Sequence, residues 1–309
     1  MERRTLGNTG IEMSVLGFGC ASVWSKSFFE EEKAAQLVKQ ALELGINFFD
    51  TSYSYGLAEE RLGRVLKNNN VRREDVIIST KCGTRHEDGK YYHDWSVAWL
   101  EESLNTSLSR LGVSYVDLLH LHGPEIADIT PELLAFLDGL KRDGKVRAVG
   151  INTFNTETLE YVCEHALFDF VMLDYNILKR SREDLIARLN ERGIGVIAGA
   201  PLAESLYSNR VFKIKSKKDL WYFLRACKTF RGQLIEGFKY RFVNKVDGIS
   251  GNQVALKYVV NNPGVTAAVF GTTNPDHLQE NVEALDKEIP EKIVERIRSV
   301  KMKHQDVRG

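Results

Sequence analysis

The 309-residue sequence lacks an excess of either charge: 42 Lys and Arg stand against 42 Asp and Glu. A dedicated nucleic-acid binder normally shows a clear basic surplus, so nucleic acid is not an expected partner. Long apolar runs are missing. No stretch of about 18 apolar residues occurs, and none follows Met1-Glu2-Arg3-Arg4-Thr5. Neither a membrane span nor a signal peptide is therefore expected, and the expected setting is cytoplasmic. Cysteine is scarce: Cys20, Cys82, Cys163 and Cys227 are far apart and form no C-x-x-C pair. That spacing argues against a zinc ribbon or a redox dithiol and for free thiols. Repeats of 20–50 residues, low-complexity tracts and linkers are also lacking, which excludes solenoids and arrays.

What is present suits a full core. Hydrophobic residues make up 43% of the chain and charged residues 27%, ordinary for a folded α/β protein. Short apolar or β-branched runs recur at 14–18, 47–50, 76–80, 116–121, 146–151, 170–173, 195–198 and 266–270. Continuous runs of this kind suit strands buried on both faces of a parallel sheet. Helical patterns lie between them. Residues 30–44 place Ala34, Leu37, Val38 and Ala41 on one stripe before Gly45; 95–111 stops at Gly112; 131–141 follows Thr130 and stops at Gly144. Further helices open at Asn155 or Thr156 and at Ser181. Caps and glycine stops mark these ends.

Eight strands alternating with helices predict an α/β fold, a (β/α)₈ TIM barrel, with a doubly wound open sheet as the rival. The N-terminal segment 3–10 predicts a hairpin closing the bottom. One domain should span 1–309. Residues 203–250 are too long for an ordinary loop, so they predict an excursion after the seventh strand, over the active-site face.

In a barrel, chemistry collects at the C-terminal ends of the strands. Asp50 ends the second run, Tyr55 follows in the next loop, Lys81 ends the third and His122 the fourth. A free tyrosine is a poor acid near neutrality; an adjacent ammonium favours its phenolate, and a carboxylate anchors the ammonium. A histidine can orient a substrate oxygen. The set suits proton transfer to a carbonyl or carbinol oxygen. None of the four carries two electrons, so hydride chemistry would need a nicotinamide. A metal-free isomerase or aldolase using Lys81 as a Schiff base stays open. His120 shares a strand face with His122 but lies one layer deeper. Gly17-Phe18-Gly19 lacks the third glycine and the helix of a dinucleotide fingerprint. No metal is expected at His86 and His93, which flank Glu87-Asp88 without further ligands. Cys20 and Cys82 lack a dedicated base.

Several of these segments share an ordered likeness. Residues 45–56 (GINFFDTSYSYG, with Glu59 or Glu60 beyond), 115–124 (YVDLLHLHGP), 144–155 (GKVRAVGINTFN) and 271–281 (GTTNPDHLQEN) together resemble the aldo-keto reductase family over roughly residues 4–285. The resemblance implies an NAD(P)-dependent oxidoreductase with Tyr55 as general acid–base, Lys81 and Asp50 as its tuning pair and His122 as the substrate-orienting group. It also implies a nicotinamide dinucleotide held by Asn152, Thr153, Met172, Ala200, Leu202, Gly271, Thr272, His277, Glu280 and Asn281. At Met172 the family often has glutamine, at Gly199 an aromatic, and at Gly271 and His277 a cationic pair. Either NADP(H) or NAD(H) is thus implied, NADP slightly ahead. The run 196–203 (VIAGAPLA) resembles the branch containing L-galactose and D-threo-aldose dehydrogenases, which implies a sugar or sugar derivative as substrate. Trp24, Tyr55 and His122 are expected to meet it, and Gly123 to leave room. The chain would work as a monomer or homo-oligomer. The family also includes nicotinamide-binding regulatory subunits with little turnover. Finally, residues 210–245 hold eleven Lys or Arg against Asp219 and Glu236, with Trp221, Tyr222, Phe223 and Phe230 among them. They predict either a solvated face or a cationic lid for an anionic, phosphorylated or nucleotide-linked sugar.

Overall fold

A computed structural model describes residues 1–87, 90–208 and 231–301 of the chain. Strands β1 (Arg3–Thr5) and β2 (Glu12–Ser14) pair antiparallel as the predicted N-terminal hairpin. Eight further strands close a parallel barrel: β3 (Leu16–Gly19), β4 (Phe48–Asp50), β5 (Ile77–Cys82), β8 (Val116–His122), β9 (Val146–Asn152), β10 (Phe170–Asp174), β11 (Gly195–Gly199) and β12 (Ala267–Phe270). Between β5 and β8 comes a small antiparallel pair, β6 (Thr84–Glu87) and β7 (Lys90–His93), outside the barrel ladder.

Helices α1 (Glu31–Glu43), α2 (Ala58–Asn68), α3 (Val97–Leu111), α4 (Pro131–Arg142), α5 (Thr156–His165) and α6 (Glu183–Glu191) alternate with the strands. After β11 come α7 (Arg231–Gly237) and α8 (Gly251–Val260); after β12, α9 (Pro275–Glu283) and α10 (Glu291–Ser299). Two of the expected start signals operate, whereas Ser181 does not cap α6, which begins at Glu183 after Arg182. Thr130 and Asn155 accept bonds from the backbone N–H groups of Leu133 and Thr158, capping α4 and α5. Ser250 and Gln253 form a reciprocal capping box at α8. Among the described residues no helix is long and apolar enough to cross a membrane.

Two separate cores hold this shape. The larger lies between strands and helices. The smaller fills the barrel interior, where Leu6, Ile11 and Met13 of the hairpin region plug the bottom beneath Phe48, Leu118, Phe170 and Ile197. Side chains alternate along a strand, so every second residue faces the same side. Two steps past this apolar layer stand Asp50, Ser79 and His120; four steps past it stand Lys81, His122 and Asn152. The barrel therefore carries its polar groups on one arc of its C-terminal end, formed by β4, β5, β8 and β9. On the opposite arc the same layers hold Gly19, Met172, Gly199 and Val269.

Candidate active site

Lys81 is fully buried near the end of β5, 2% exposed. Its Nζ donates to Asp50 Oδ2 at 2.6 Å and to the Thr51 carbonyl at 2.8 Å. Burial alone would drive the ammonium toward neutrality. The Asp50 carboxylate and the Tyr55 hydroxyl more than offset that, so its pKa lies above the ordinary lysine value. Nζ stands 5.1 Å from the Tyr55 ring centroid, so the phenol and the ammonium are close neighbours. Tyr55 is placed by a turn: its N–H donates to Ser52 O, and Gly56 at φ +52° lets the chain close onto the Ser25 carbonyl.

His122 faces Tyr55 with its ring almost perpendicular, 83°, at a centroid distance of 6.1 Å. Burial, then the Lys81 ammonium, then His93 push its pKa down to about 3, so the imidazole is neutral at any ordinary working pH. Beneath it His120 is fully buried. Its Nε2 shares a hydrogen bond with Ser79 Oγ at 2.7 Å, and Ser79 Oγ donates to Asp50 Oδ1 at 3.0 Å. Burial and the Lys81 charge hold His120 well below its usual value too. Asp50, Tyr55, Lys81 and His122 thus come together at one rim, with His120 one layer down. Cys20 and Cys82 are buried thiols raised by burial, Cys82 to about 12, and so are poor nucleophiles.

Around the site, Glu59 entered the sequence reading only through the family pattern, and Arg61 and Arg110 not at all. Glu59 is fully buried and accepts from the Thr80 hydroxyl at 2.6 Å and from Arg110 at 3.3 Å. Arg110 also donates to the Tyr53 carbonyl at 3.1 Å, which ties the Tyr55 loop to β5. Arg61 donates to the carbonyls of Trp24 and Phe29 and fixes the loop after β3. Trp24, expected at the substrate, is 1% exposed and packs edge-on against Phe18 at 5.6 Å. The β6–β7 hairpin brings Thr84 and His93 to the His122 side. A readable signal existed in the sequence: an Asp-Gly pair between the runs 84–87 and 90–93 is a strong short-range hairpin pattern.

Of the residues expected at a dinucleotide, Asn152 and Thr153 lie at the end of β9 on the polar arc, and the others along the opposite arc and beyond it. Asn152 is buried and donates to the Met172 carbonyl at 3.3 Å; Thr153 is buried beside it. Gly199 and Gly271 leave the backbone bare, and a Cβ on Gly271 would stand 3.1 Å from the Gly19 carbonyl. Ala200 is exposed at φ +49° and Leu202 partly buried. Thr272 precedes α9, whose N-terminus is capped by Asn274 and opened by Pro275. Asn281 is buried, and Glu280 offers its carbonyl to Gln253. A glycine-lined rim, an amide and a hydroxyl at its edge and a helix start fit a nicotinamide dinucleotide. His277 is the one basic residue in 271–281, and Asp276 stands in the first turn of α9. Of the predicted cationic lid, residues 209–230 lie outside the described residues; in the described part Lys239 pairs with Glu236 at 2.5 Å.

Fold and rim together define a TIM-barrel oxidoreductase with a Tyr–Lys–Asp–His cluster at the C-terminal ends of its strands. The sequence pattern of the aldo/keto reductase family matches residues 15–302, and the chain belongs to that family. It is 32% identical over 297 residues to L-galactose dehydrogenase of Arabidopsis thaliana, covering 92% of this chain and 88% of that protein. It is 29% identical over 311 residues to L-glyceraldehyde 3-phosphate reductase of Escherichia coli strain K12, covering 93% and 88%. In three dimensions it is similar to the holo form of the aldo-keto reductase AKR11C1 from Bacillus halodurans, with a TM-score of 0.80, 28% identity and coverage of 99% and 100%.

Proposed function

We propose that this protein interconverts a carbonyl and an alcohol on a sugar or sugar derivative, using a nicotinamide dinucleotide. The observation that carries the reading is the buried Lys81 ammonium, held at 2.6 Å by Asp50 and standing 5.1 Å from the Tyr55 ring centroid. In the reducing direction Tyr55 gives its proton to the substrate oxygen as that oxygen gains charge. The ammonium beside it stabilises the phenolate that forms, and a fixed charge in a water-poor pocket needs no reorganisation to do so. His122, neutral, donates a hydrogen bond to the same oxygen and fixes which face of the carbonyl meets the cofactor. Asp50 keeps the ammonium charged and aimed. A bound nicotinamide supplies the hydride; Asn152, Thr153 and the Gly199–Leu202 and Gly271–Asn281 segments would hold it, either NADP or NAD.

The sugar reading rests on relatives named for L-galactose and for L-glyceraldehyde 3-phosphate; Gly123, expected to leave room, has the His93 ring 3.2 Å from where its Cβ would stand. An anionic substrate would suit the basic stretch 210–245. The test is a panel of aldoses, glyceraldehyde and glyceraldehyde 3-phosphate, assayed with NADH and NADPH. Turnover is expected, and Tyr55→Phe should lower it by about 10²–10⁴-fold, the usual range for a lost proton donor. Its dinucleotide dissociation constant, read by fluorescence titration, should stay near that of the unsubstituted protein. No turnover across the panel, or turnover indifferent to Tyr55→Phe, contradicts the reading.

A further inference from the structure

The β6–β7 hairpin leaves β5 almost at once, and its base is fixed from both sides. Thr84 pairs with His93 across the ladder. Gly83 takes φ +93°, and the Trp95 ring lies so close that a Cβ there would stand 1.9 Å from it. The Asp94 N–H donates to the Gly83 carbonyl at 2.9 Å, and Arg85 bridges to Asp94 at 3.0 Å. This rigid base sets the Thr84 hydroxyl 3.3 Å from Nδ1 of His122.

A neutral imidazole carries one N–H, and the bond made at one nitrogen decides what the other can do. With the proton on Nε2, Nδ1 is a lone pair and the Thr84 hydroxyl donates into it; both groups are then satisfied. With the proton on Nδ1, Thr84 Oγ1 accepts instead, its own hydrogen loses this acceptor, and Nε2 becomes an acceptor facing a substrate oxygen that is itself an acceptor. Hydrogen-bond satisfaction favours the first arrangement. We propose that Thr84 is a positioning residue: its hydroxyl donates to Nδ1 of His122 and fixes the tautomer whose Nε2–H points at the substrate oxygen. The inference rests on the proposed function for the use of that N–H, but the tautomer itself can be read without any turnover.

The experiment uses the full chain labelled with ¹⁵N-histidine, the His122 signals being assigned by their loss in His122→Gln. At neutral pH, Nδ1 of the unsubstituted protein should resonate as an unprotonated nitrogen and Nε2 as a protonated one. Thr84→Val keeps the shape and removes the hydroxyl. It should mix or reverse the tautomers and lower kcat roughly tenfold, about one ordinary hydrogen bond, with the melting temperature and dinucleotide affinity unchanged. Thr84→Ser should restore both readouts. A protonated Nδ1 in the unsubstituted protein, or a Thr84→Val protein with unaltered ¹⁵N signals, overturns the proposal. Tautomer control by Thr84 in a protein that turns over no carbonyl would uphold it and remove the proposed function instead.

Discussion

A partly buried histidine at the rim, a buried histidine one layer below it and a buried lysine lie close together, and their charges cannot all be present. The ammonium wins because Asp50 lies 2.6 Å away; the two imidazoles stay neutral because burial and that same ammonium oppose a second positive charge. The consequence for stability has a definite sign. In the unfolded chain His122 takes a proton as pH falls through its ordinary 6.5, whereas in the folded chain it does so only near 3. Between those values the unfolded state binds the extra proton, so stability present above pH 6.5 is lost as pH falls toward 3. Denaturant midpoints measured from pH 7 to pH 4 should decline, and His122→Gln should flatten the slope by up to about 1.4 kcal/mol per pH unit, one proton's share. An unchanged slope in the variant would show that His122 does not carry this effect. Asp50, Lys81 and His122 are legible in the sequence because strand alternation places them on the inner face. The hydrogen bonds that join Ser79, Glu59 and Arg110 to the site are not, since they run between residues 21 to 51 apart along the chain.

At the scale of elements, apolar runs locate all eight barrel strands but end six of them early. The runs at 76–80, 116–121 and 146–151 stop where the ladder continues to Cys82, His122 and Asn152. The cause is physical: the last pairs, such as His122 with Asn152, are polar side chains on a backbone still fully paired, so a hydrophobic pattern fades before the hydrogen bonds do. The β6–β7 hairpin escapes an apolar search entirely, because most of its residues are exposed or partly exposed. Its attachment hinges on Gly83. Gly83→Ala should strain the backbone by about 1–2 kcal/mol and push Trp95 out of place, carrying Thr84 and His93 away from His122. A melting-temperature drop together with a lower kcat is expected; a variant that melts lower with kcat intact would separate the hairpin from catalysis.

For the molecule as a whole, the hairpin plug at the bottom and the polar arc at the top give the barrel one closed end and one chemical end. Length and alternation make this architecture readable, whereas the sequence separates the polar arc from the glycine arc only after the barrel is closed in space. The zero formal net charge gives the molecule as a whole no pull on one sign of ligand, so steering would have to come from local charge. At the barrel's rim we propose hydride transfer to a carbonyl carbon, with the proton from Tyr55. It is tested most directly by reducing glyceraldehyde with NADH or NADPH deuterated at the transferred position of C4. The expected result is one deuterium on the new carbinol carbon for each dinucleotide oxidised. Consumption of the aldehyde without oxidation of the dinucleotide, as a Schiff base on Lys81 would give, or a carbinol carbon without the label, would contradict the account.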